Sequence, residues 1–198
     1  MTTIIYFIRH GEVYNPKGIL YVRLPRFRLS EKGREEVTET AHFLEDKQVS
    51  QIYASPLLRA QQTAKIIQQH LKLPVLHTNK QILEVRTAYQ GKHYSDLDAL
   101  QSQVYDKPLG KNDETIEQIG ERMMAFAADM VKKYPGKEIA VISHGDPVMV
   151  LYSVINHRTL DVPTVKGGKY CKHAEVFKFI DHDGVQTMES VFIPEASK

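Results

Sequence analysis

Two short apolar runs, far apart in the chain, each end in a His-Gly pair. The first is Ile4–Ile8, followed by Arg9-His10-Gly11, and the second is Ile139–Ile142, followed by Ser143-His144-Gly145. Short runs rich in β-branched and aromatic residues are typical of strands buried on both faces. If the two strands are parallel, both imidazoles lie at the carboxyl edge of one sheet, where open α/β folds bind ligands. The recurrence therefore favours one shared site over two unrelated loop histidines.

Strand-like and helix-like segments alternate along the rest of the chain, which predicts an α/β fold. We expect a three-layer sandwich with a mostly parallel central sheet flanked by helices. The length of 198 residues suits a single domain, residues 1–198, with a small cap insertion at about 86–113 over the carboxyl ends of the strands. The predicted strands are Gln51–Ala54, Leu73–Leu76, the extended segment Gln81–Val85, and a closing hairpin of Glu175–Ile180 and Val185–Ile193 joined at Asp181–Gly184.

Four helices are predicted from their start signals and apolar spacing. The helix starts are Ser30, with an end near Gln48; Ser55-Pro56, with Ser as the cap; about Glu114, with an end near Tyr134; and Asp146-Pro147. The segment Pro163–His173 is predicted to be a loop.

Composition limits the partners of the protein. The formal net charge is only +2, so no global field favours nucleic acid. The single cysteine, Cys171, excludes an internal disulfide and fits a reducing compartment. Met1-Thr2-Thr3 leads directly into the first strand, without a long apolar leader or membrane span. We therefore expect a cytoplasmic protein that binds neither nucleic acid nor membrane, and the oligomeric state stays open.

The first part of the chain has a local excess of basic residues. This excess would suit a small anionic ligand, although a solvated basic face explains the later members equally well. The basic residues are Arg9, Lys17, Arg23, Arg26, Arg28, Lys32 and Arg34, against Glu12 and Glu31.

The predicted strand ends bring together the groups that phosphoryl transfer needs. Arginine pairs with phosphate oxygens through a planar fork, and an imidazole can attack phosphorus to form a covalent intermediate. A carboxylic acid beside an anion has a raised pKa and can protonate the leaving oxygen. Such a pocket stabilises the transferred group without a metal. The groups are Arg9, His10, Arg59, Glu84, His144 and Gly145.

Other chemistries fit the sequence less well. The nine histidines show no metal-ligand spacing, and arginines beside both His-Gly pairs would repel a cation, so we expect neither a metal nor a cofactor. The chain contains no G-x-x-x-x-G-K-[ST], G-x-G-x-x-G or G-x-S-x-G motif.

Four motifs in this order resemble those of the histidine phosphatase superfamily, the phosphoglycerate mutase-like fold, over most of the chain. They are Arg9–Glu12 (RHGE), Ser55–Ala64 (SPLLRAQQTA), Glu84 and Ser143–Gly145 (SHG), supported by Leu20–Pro25 and Arg28–Gly33. The resemblance implies that His10 is phosphorylated. It further implies that Arg9, Arg59 and His144 hold the phosphoryl group, that Glu84 is the proton donor and later the base, and that Asn15 borders the pocket.

The segment after Glu84 departs from the family, which often has a glycine and a Glu-Gly pair there. Arg86–Gly91 stands in its place, so substrate contacts do not carry over. Arg23, Tyr89 and Lys169 could each touch substrate or have surface or packing roles.

We therefore predict a metal-independent phosphatase acting on a small phosphate monoester. Two alternatives stay open: a phosphoglycerate-type phosphomutase with the same core, and a non-catalytic module that binds a phosphorylated ligand. The compact chain favours hydrolysis over the mutase. The presence of both His10 and Glu84 disfavours the non-catalytic module.

Overall fold

The structure is a computed structural model that describes residues 1–97, 110–167 and 170–198. Strands and helices alternate through most of it, as predicted. In chain order the elements are β1 Thr2–Arg9, α1 Glu31–Phe43, β2 Val49–Ala54, α2 Leu58–His70, β3 Leu76–Thr78, α3 Tyr94–Leu97, α4 Ile116–Lys133, β4 Glu138–Ser143, α5 Gly145–Ile155, α6 Val162–Lys166, β5 Val176–His182, β6 Val185–Phe192 and a final 3₁₀ turn Glu195–Ser197.

One six-stranded sheet, in the order β3-β2-β4-β1-β5-β6, organises the described residues. Strands β1, β2, β3 and β4 are mutually parallel, whereas β5 is antiparallel to both of its neighbours. The predicted α/β fold with a mostly parallel sheet is therefore confirmed. The register pairs Arg9 of β1 with Ser143 of β4, so His10 and His144 leave adjacent strands at the same level.

Helices cover both faces of the sheet because the strand side chains alternate between two apolar clusters. On β1, Ile5 and Phe7 join the cluster that contains most of the buried face of α4 and α5. Tyr6 and Ile8 join the cluster that contains the buried face of α1 and α2. The sheet edge that carries His10 and His144 is therefore supported by an apolar core on each face of the sheet.

Helix starts follow the predicted cap in one place and depart from it in two others. The side chain of Ser30 accepts a hydrogen bond from the backbone of Gly33, as predicted. Ser55 does not cap α2, because Leu57 occupies the cap position and the Ser55 hydroxyl instead contacts His144. Asp146 does not cap α5 either. The cap lies two residues earlier, at His144, and the helix begins at Gly145, which leaves the Asp146 carboxylate to other partners.

Several predicted boundaries were wrong. Helix α1 ends at Phe43 rather than near residue 48, and the third strand is Leu76–Thr78. The segment 81–85 is irregular and pairs with no strand of the described sheet, because backbone carbonyls there accept bonds from arginines instead. The predicted loop 163–173 includes part of α6, whose start is capped by Asp161. The closing hairpin is confirmed, with positive φ at Asp183 and Gly184 in its turn.

The cap predicted at about 86–113 is only partly covered, since residues 98–109 lie outside the described residues. Its described part includes α3 and a small buried cluster of Tyr89 and Leu97 against Leu20. The cap and the single-domain organisation therefore remain proposals. Within the described ranges, no helix has both the length and the apolar character that a membrane crossing needs.

Candidate active site

A cavity of about 330 Å³ opens at the carboxyl ends of the parallel strands. Polar groups lie along one part of its wall, and leucine, valine and tyrosine side chains form the remainder. The lining residues are Arg9, His10, Leu20, Tyr21, Val22, Glu84, Val85, Thr87, Tyr94, Leu97, Asp146, Lys166 and Tyr170.

His10 presents an unprotonated Nε2. Its Nδ1 lies 2.8 Å from the carbonyl oxygen of Gly11, which can only accept, so Nδ1 carries the proton. Arg59 Nε donates to Nε2 at 3.0 Å. Burial lowers the pKa of His10 well below its usual value, and the charge of Arg59 and the neighbouring His144 and Arg9 act in the same direction. His10 is therefore a neutral imidazole with its lone pair directed at Arg59.

Arg59 joins the two histidines. Its Nη2 donates to the carbonyl oxygen of Val22 at 2.6 Å and to Nδ1 of His144 at 3.1 Å. Since Nδ1 accepts, His144 carries its proton on Nε2, which donates to the Ser55 hydroxyl at 2.7 Å. Burial, followed by the charge of Arg59, lowers the pKa of His144 well below its usual value. Both Arg59 and His144 are completely buried and are not among the lining residues of the cavity, although each lies next to His10, which is one.

Arg9 reaches the cavity from the end of β1. Its Nη1 donates to the carbonyl oxygen of Cys171 at 2.6 Å, and its Nη2 lies 3.0 Å from Nε2 of His173. The guanidinium also lies 5.4 Å from the centre of the Tyr170 ring. The buried Nε has no hydrogen-bond partner among the described residues, so this N–H group is available to donate to a ligand.

Glu84 lines the cavity, with Oε1 accepting a bond from the backbone N–H of Val85 at 2.9 Å. Burial raises the pKa of Glu84 to about 7, and the charge of Asp146 adds to the increase. Arg59, the Val85 N–H and Lys166 act in the opposite direction. Glu84 therefore exchanges its proton near neutral pH, as a group that both gives and takes a proton requires.

Arg23 holds the backbone of Glu84 and lies outside the described cavity wall. Its Nε donates to the Glu84 carbonyl oxygen at 2.7 Å, and its Nη2 pairs with Glu114 at 2.8 Å. Arg122 pairs with the same carboxylate at 3.0 Å and donates to the carbonyl oxygen of Gln81 at 2.6 Å. These contacts fix the irregular segment that carries Glu84.

The remaining predicted contacts lie away from the described cavity wall. Both ends of the Asn15 side-chain amide bond the backbone of Ile19, which closes a turn. Tyr89 is buried among leucines, and Gly145 is buried at the start of α5. Lys169 lies outside the described residues. Their contacts with substrate stay predictions.

Sequence reasoning missed six polar residues of the described cavity wall: Tyr21, Thr87, Tyr94, Asp146, Lys166 and Tyr170. Asp146 could have been found, because it directly follows the second His-Gly pair and thus lies at the same sheet edge. The other five come from loops and short helices whose positions no local pattern fixes.

Among the residues that the structure describes, two clusters hold carboxylates and imidazoles near enough to share a cation. In each, the candidate ligand atoms lie within 4.8 Å of one another. The spacing in sequence did not indicate them, because each draws on separate elements. The clusters are His42, Glu45 and His70, at the carboxyl ends of α1 and α2, and Glu12, Glu36 and His173, beside Arg9. The second cluster borders the site, because the ring centres of His173 and His10 are 6.0 Å apart.

The fold and the grouping of two imidazoles, two arginines and a carboxyl group define an α/β protein of the phosphoglycerate mutase-like kind. The chain belongs to the histidine phosphatase superfamily (branch 1), whose family model matches residues 5–173. The predicted family is therefore confirmed.

Relatives and solved structures agree with this membership. An uncharacterised protein of Mycobacterium tuberculosis is 32% identical over 155 residues, which is 75% of this chain and 76% of the relative. The uncharacterised phosphatase PhoE of Bacillus subtilis is 26% identical over 161 residues, 78% of each chain. The structure of YhfR from Bacillus stearothermophilus aligns with a TM-score of 0.82 at 20% identity, covering 99% of this chain and 98% of that one. A mycobacterial glucosyl-3-phosphoglycerate phosphatase aligns at 0.80 and 19%, covering 98% and 99%.

Proposed function

We propose that this protein is a metal-independent phosphatase that hydrolyses a small phosphate monoester through a phosphohistidine on His10. One observation carries the proposal: Nε2 of His10 is unprotonated at the cavity, with the donor of Arg59 only 3.0 Å away. An attacking nitrogen needs a lone pair, and the phosphoryl oxygens need fixed positive charge.

In the first step Nε2 attacks phosphorus, the bond between phosphorus and the ester oxygen breaks, and that oxygen takes the proton of Glu84. Arg59 is already aimed at Nε2, so its N–H groups face the oxygens of a group bound there. Arg9 supplies further charge from the cavity wall and has one unpartnered N–H among the described contacts.

In the second step the oxygen of a water molecule attacks phosphorus, and the carboxylate of Glu84 takes a proton from that water. The P–N bond breaks, and its electrons return to Nε2 as inorganic phosphate forms. The same carboxyl group thus acts first as an acid and then as a base, which its pKa of about 7 permits.

Hydrolysis is favoured over phosphoglycerate-type transfer by the charges of the cavity. A mutase substrate carries a second anionic group that needs its own cation. Arg9 and Lys166 are the cationic side chains of the described cavity wall, and Lys166 pairs with Asp146 at 3.2 Å. Retention of both His10 and Glu84 disfavours a non-catalytic binding module. The phosphatases among the similar proteins also support hydrolysis.

The test is to trap the intermediate. Wild-type protein quenched during turnover of a ³²P-labelled ester should carry label that survives base and is lost in acid, as a phosphoramidate does. His10→Ala should carry none and lose turnover, whereas the exposed-site control His157→Ala should behave like wild type. Retention of label by His10→Ala would overturn the proposal.

The alternatives separate with one substrate. Incubation with a bisphosphorylated sugar acid should release free phosphate if the protein is a phosphatase. An isomerised product would support the mutase, and bound but unchanged substrate would support the binding module.

Excess chelator should leave the rate of ester hydrolysis unchanged. A loss reversed by a divalent ion would contradict the metal-independent mechanism.

A further inference from the structure

Asp146 is a second carboxylate of the cavity, and the mechanism above does not use it. The residue is only 5% exposed, although it lies in the cavity wall. The Tyr170 hydroxyl donates to Oδ1 at 2.5 Å, and the Lys166 ammonium lies 3.2 Å from Oδ2. Each oxygen therefore has a donor, and these contacts favour the ionised form over the protonated one.

The glycine of the second His-Gly pair makes this arrangement possible. A Cβ at Gly145 would lie 2.1 Å from the Tyr170 hydroxyl oxygen, so any other residue there would displace the tyrosine. Burial raises the pKa of Tyr170 well above its usual value, with the charge of Asp146 adding to the effect, and the hydroxyl stays a donor throughout the neutral range. The held carboxylate is thus a fixed negative charge.

Glu84 shares the cavity with this charge, and two carboxylates in one poorly hydrated space do not both ionise readily. We propose that Asp146 is the fixed negative charge that keeps Glu84 protonated at neutral pH, and so readies it as an acid. This inference rests on the proposed function for its purpose, but not for the electrostatic effect itself. Asp146 acts through Glu84 and is a positioning residue.

The charges around Glu84 have opposing signs, so each variant moves the pKa of Glu84 in its own direction. Burial and Asp146 raise the pKa of Glu84, whereas Arg59, the Val85 N–H and Lys166 lower it. Without Asp146 the cations remain, and the pKa of Glu84 falls. Without Lys166 one of the cations is lost, and that pKa rises. The other groups that interact electrostatically with Glu84 are Arg9, Tyr21, Arg23, Tyr94, Tyr170 and Cys171.

An ionised Asp146 beside Glu84 suits both steps of the reaction. Expulsion of an alkoxide needs a carboxyl group that still holds its proton at the working pH, and attack by water needs the same group ionised. An ordinary glutamate, ionised above about pH 4.5, would seldom hold that proton. Burial and the charge of Asp146 together move the proton exchange of Glu84 into the neutral range.

The test is a direct titration of Glu84 in the full-length protein, followed by ¹³C NMR of labelled glutamate carboxyl groups and assigned with Glu84→Gln. Asp146→Asn should move the titration of Glu84 to lower pH, and Lys166→Met should move it to higher pH. Asp181→Asn is the matched control, because Asp181 is similarly buried, at 6% exposure, but lies at the far end of β5. It should leave the titration unchanged.

The pH profile provides a second readout on an alkyl phosphate. A displacement of the Glu84 titration by about one pH unit, the size expected for a nearby charge, should lower the rate of Asp146→Asn about tenfold below that of wild type at pH 8 but only about twofold at pH 6. A merely structural role would lower the rate equally at all pH values and leave the titration of Glu84 in place.

The outcomes separate the two proposals. Unchanged titration of Glu84 in a folded Asp146→Asn variant would overturn this inference, whatever His10 does. Turnover by His10→Ala would instead overturn the proposed function while the electrostatic pairing stood. If Asp146→Asn fails to fold, Lys166→Met decides, and a titration that stays in place or moves to lower pH would contradict the proposal.

Discussion

Arg59 organises the residues of the site more than either histidine does. Its guanidinium contacts Nε2 of one histidine, Nδ1 of the other and a backbone carbonyl, while Tyr21 covers its face at 4.8 Å. These contacts use donors spread across a rigid plane. Fixed tautomers for both His10 and His144 follow from them, because a guanidinium can only donate.

Arg59→Lys should therefore lose activity despite keeping its charge. An ammonium on a flexible stem cannot reach both imidazoles and the Val22 carbonyl oxygen at once. We expect kcat to fall about 10²–10³-fold, the usual cost of losing a placed donor at a developing anion. Arg158→Lys, an exposed site, is the control and should keep wild-type kcat. Wild-type kcat in the Arg59→Lys variant would show that Arg59 is structural.

Glu84→Gln should affect esters according to their leaving groups. An alkoxide needs a proton as it departs, so phosphorylation by sugar phosphates should slow about 10²–10⁴-fold. A nitrophenoxide is stabilised without that proton, so its burst should persist and a slow steady state should follow. Stopped-flow traces with both esters measure the two phases. Equal losses in the two burst rates would remove Glu84 from the proton-donor role.

For single residues, the sequence predicted which chemical groups the site contains better than it predicted which neighbours each side chain contacts. Arg9, His10, Arg59, Glu84 and His144 do meet at one edge of the sheet, because motifs at strand ends fix where those side chains begin. Whether a polar side chain reaches the cavity depends on its neighbours. Asn15 closes a turn and Tyr89 packs against Leu97 and Leu20, which themselves line the cavity, so the substrate contacts predicted for Asn15 and Tyr89 stay predictions.

The segment that carries Glu84 is the element whose order the site most needs. It has no strand partner in the described sheet, and two arginines hold its carbonyl oxygens from outside the cavity. Glu114 joins them, with Arg23 at 2.8 Å and Arg122 at 3.0 Å, and also accepts from the backbone N–H of Arg86 at 2.7 Å. A partly buried charge network of this kind fixes one conformation when every member is paired.

Glu114→Gln should loosen this segment without touching the cavity. The loss of the shared carboxylate leaves two arginines repelling each other, which should lower the free energy of unfolding by about 2 kcal/mol. We expect kcat to fall more than the affinity for vanadate, since Glu84 is displaced while the phosphoryl-binding groups stay. The exposed residue Glu117, three positions further along in the first turn of α4, provides the control Glu117→Gln. Equal losses in kcat and vanadate affinity would contradict this account.

Element boundaries could be predicted where a side chain serves its own helix and not where the site claims it. Ser30 caps α1 as predicted, whereas the Ser55 hydroxyl accepts from a buried imidazole. Asp146 likewise serves the cavity rather than the start of α5. Cap patterns describe local competition for backbone N–H groups, so they fail where a tertiary contact offers the side chain a stronger partner.

At the scale of the whole molecule, the sequence predicted the fold class but not the strand order. The apolar runs indicated buried strands and the alternation with helices indicated a parallel sheet. Nothing local states that β4 inserts between β1 and β2, although this insertion brings His144 beside His10. The ring centres of the two histidines are 5.2 Å apart as a consequence. The resemblance to a known family supplied what the pattern lacked.

The buried imidazoles also set how stability depends on pH. In the unfolded chain His10 and His144 take up protons below about pH 6.5, but burial keeps the pKa of each far lower in the native state. Burial, followed by the charge of Arg9, lowers the pKa of His173 to about 3. The unfolded state therefore binds more protons, and the free energy of unfolding falls as the pH falls below about 6.5.

Glu84 opposes this trend over part of the range. Its native pKa of about 7 lies above the unfolded value, so the native state holds an extra proton between about pH 4.5 and 7. Glu84 therefore contributes stability at low pH that is lost as the pH rises through about 7. Removal of its charge by Glu84→Gln should steepen the acid-side decline of the free energy of unfolding.

Chemical denaturation at pH 8, 6.5 and 5 measures both trends. Each buried imidazole contributes a slope of at most about 1.4 kcal/mol per pH unit below its unfolded pKa. His144→Asn should lower stability at every pH because its hydrogen bonds are lost, yet its slope between pH 6.5 and 5 should be shallower than that of wild type. The exposed-site control His157→Asn should keep the wild-type slope. Because the readout is the slope rather than the level, general destabilisation cannot imitate the effect. Parallel lines for wild type and His144→Asn would show that His144 is protonated in the native state, and the tautomer derived from the Arg59 contact would then be wrong.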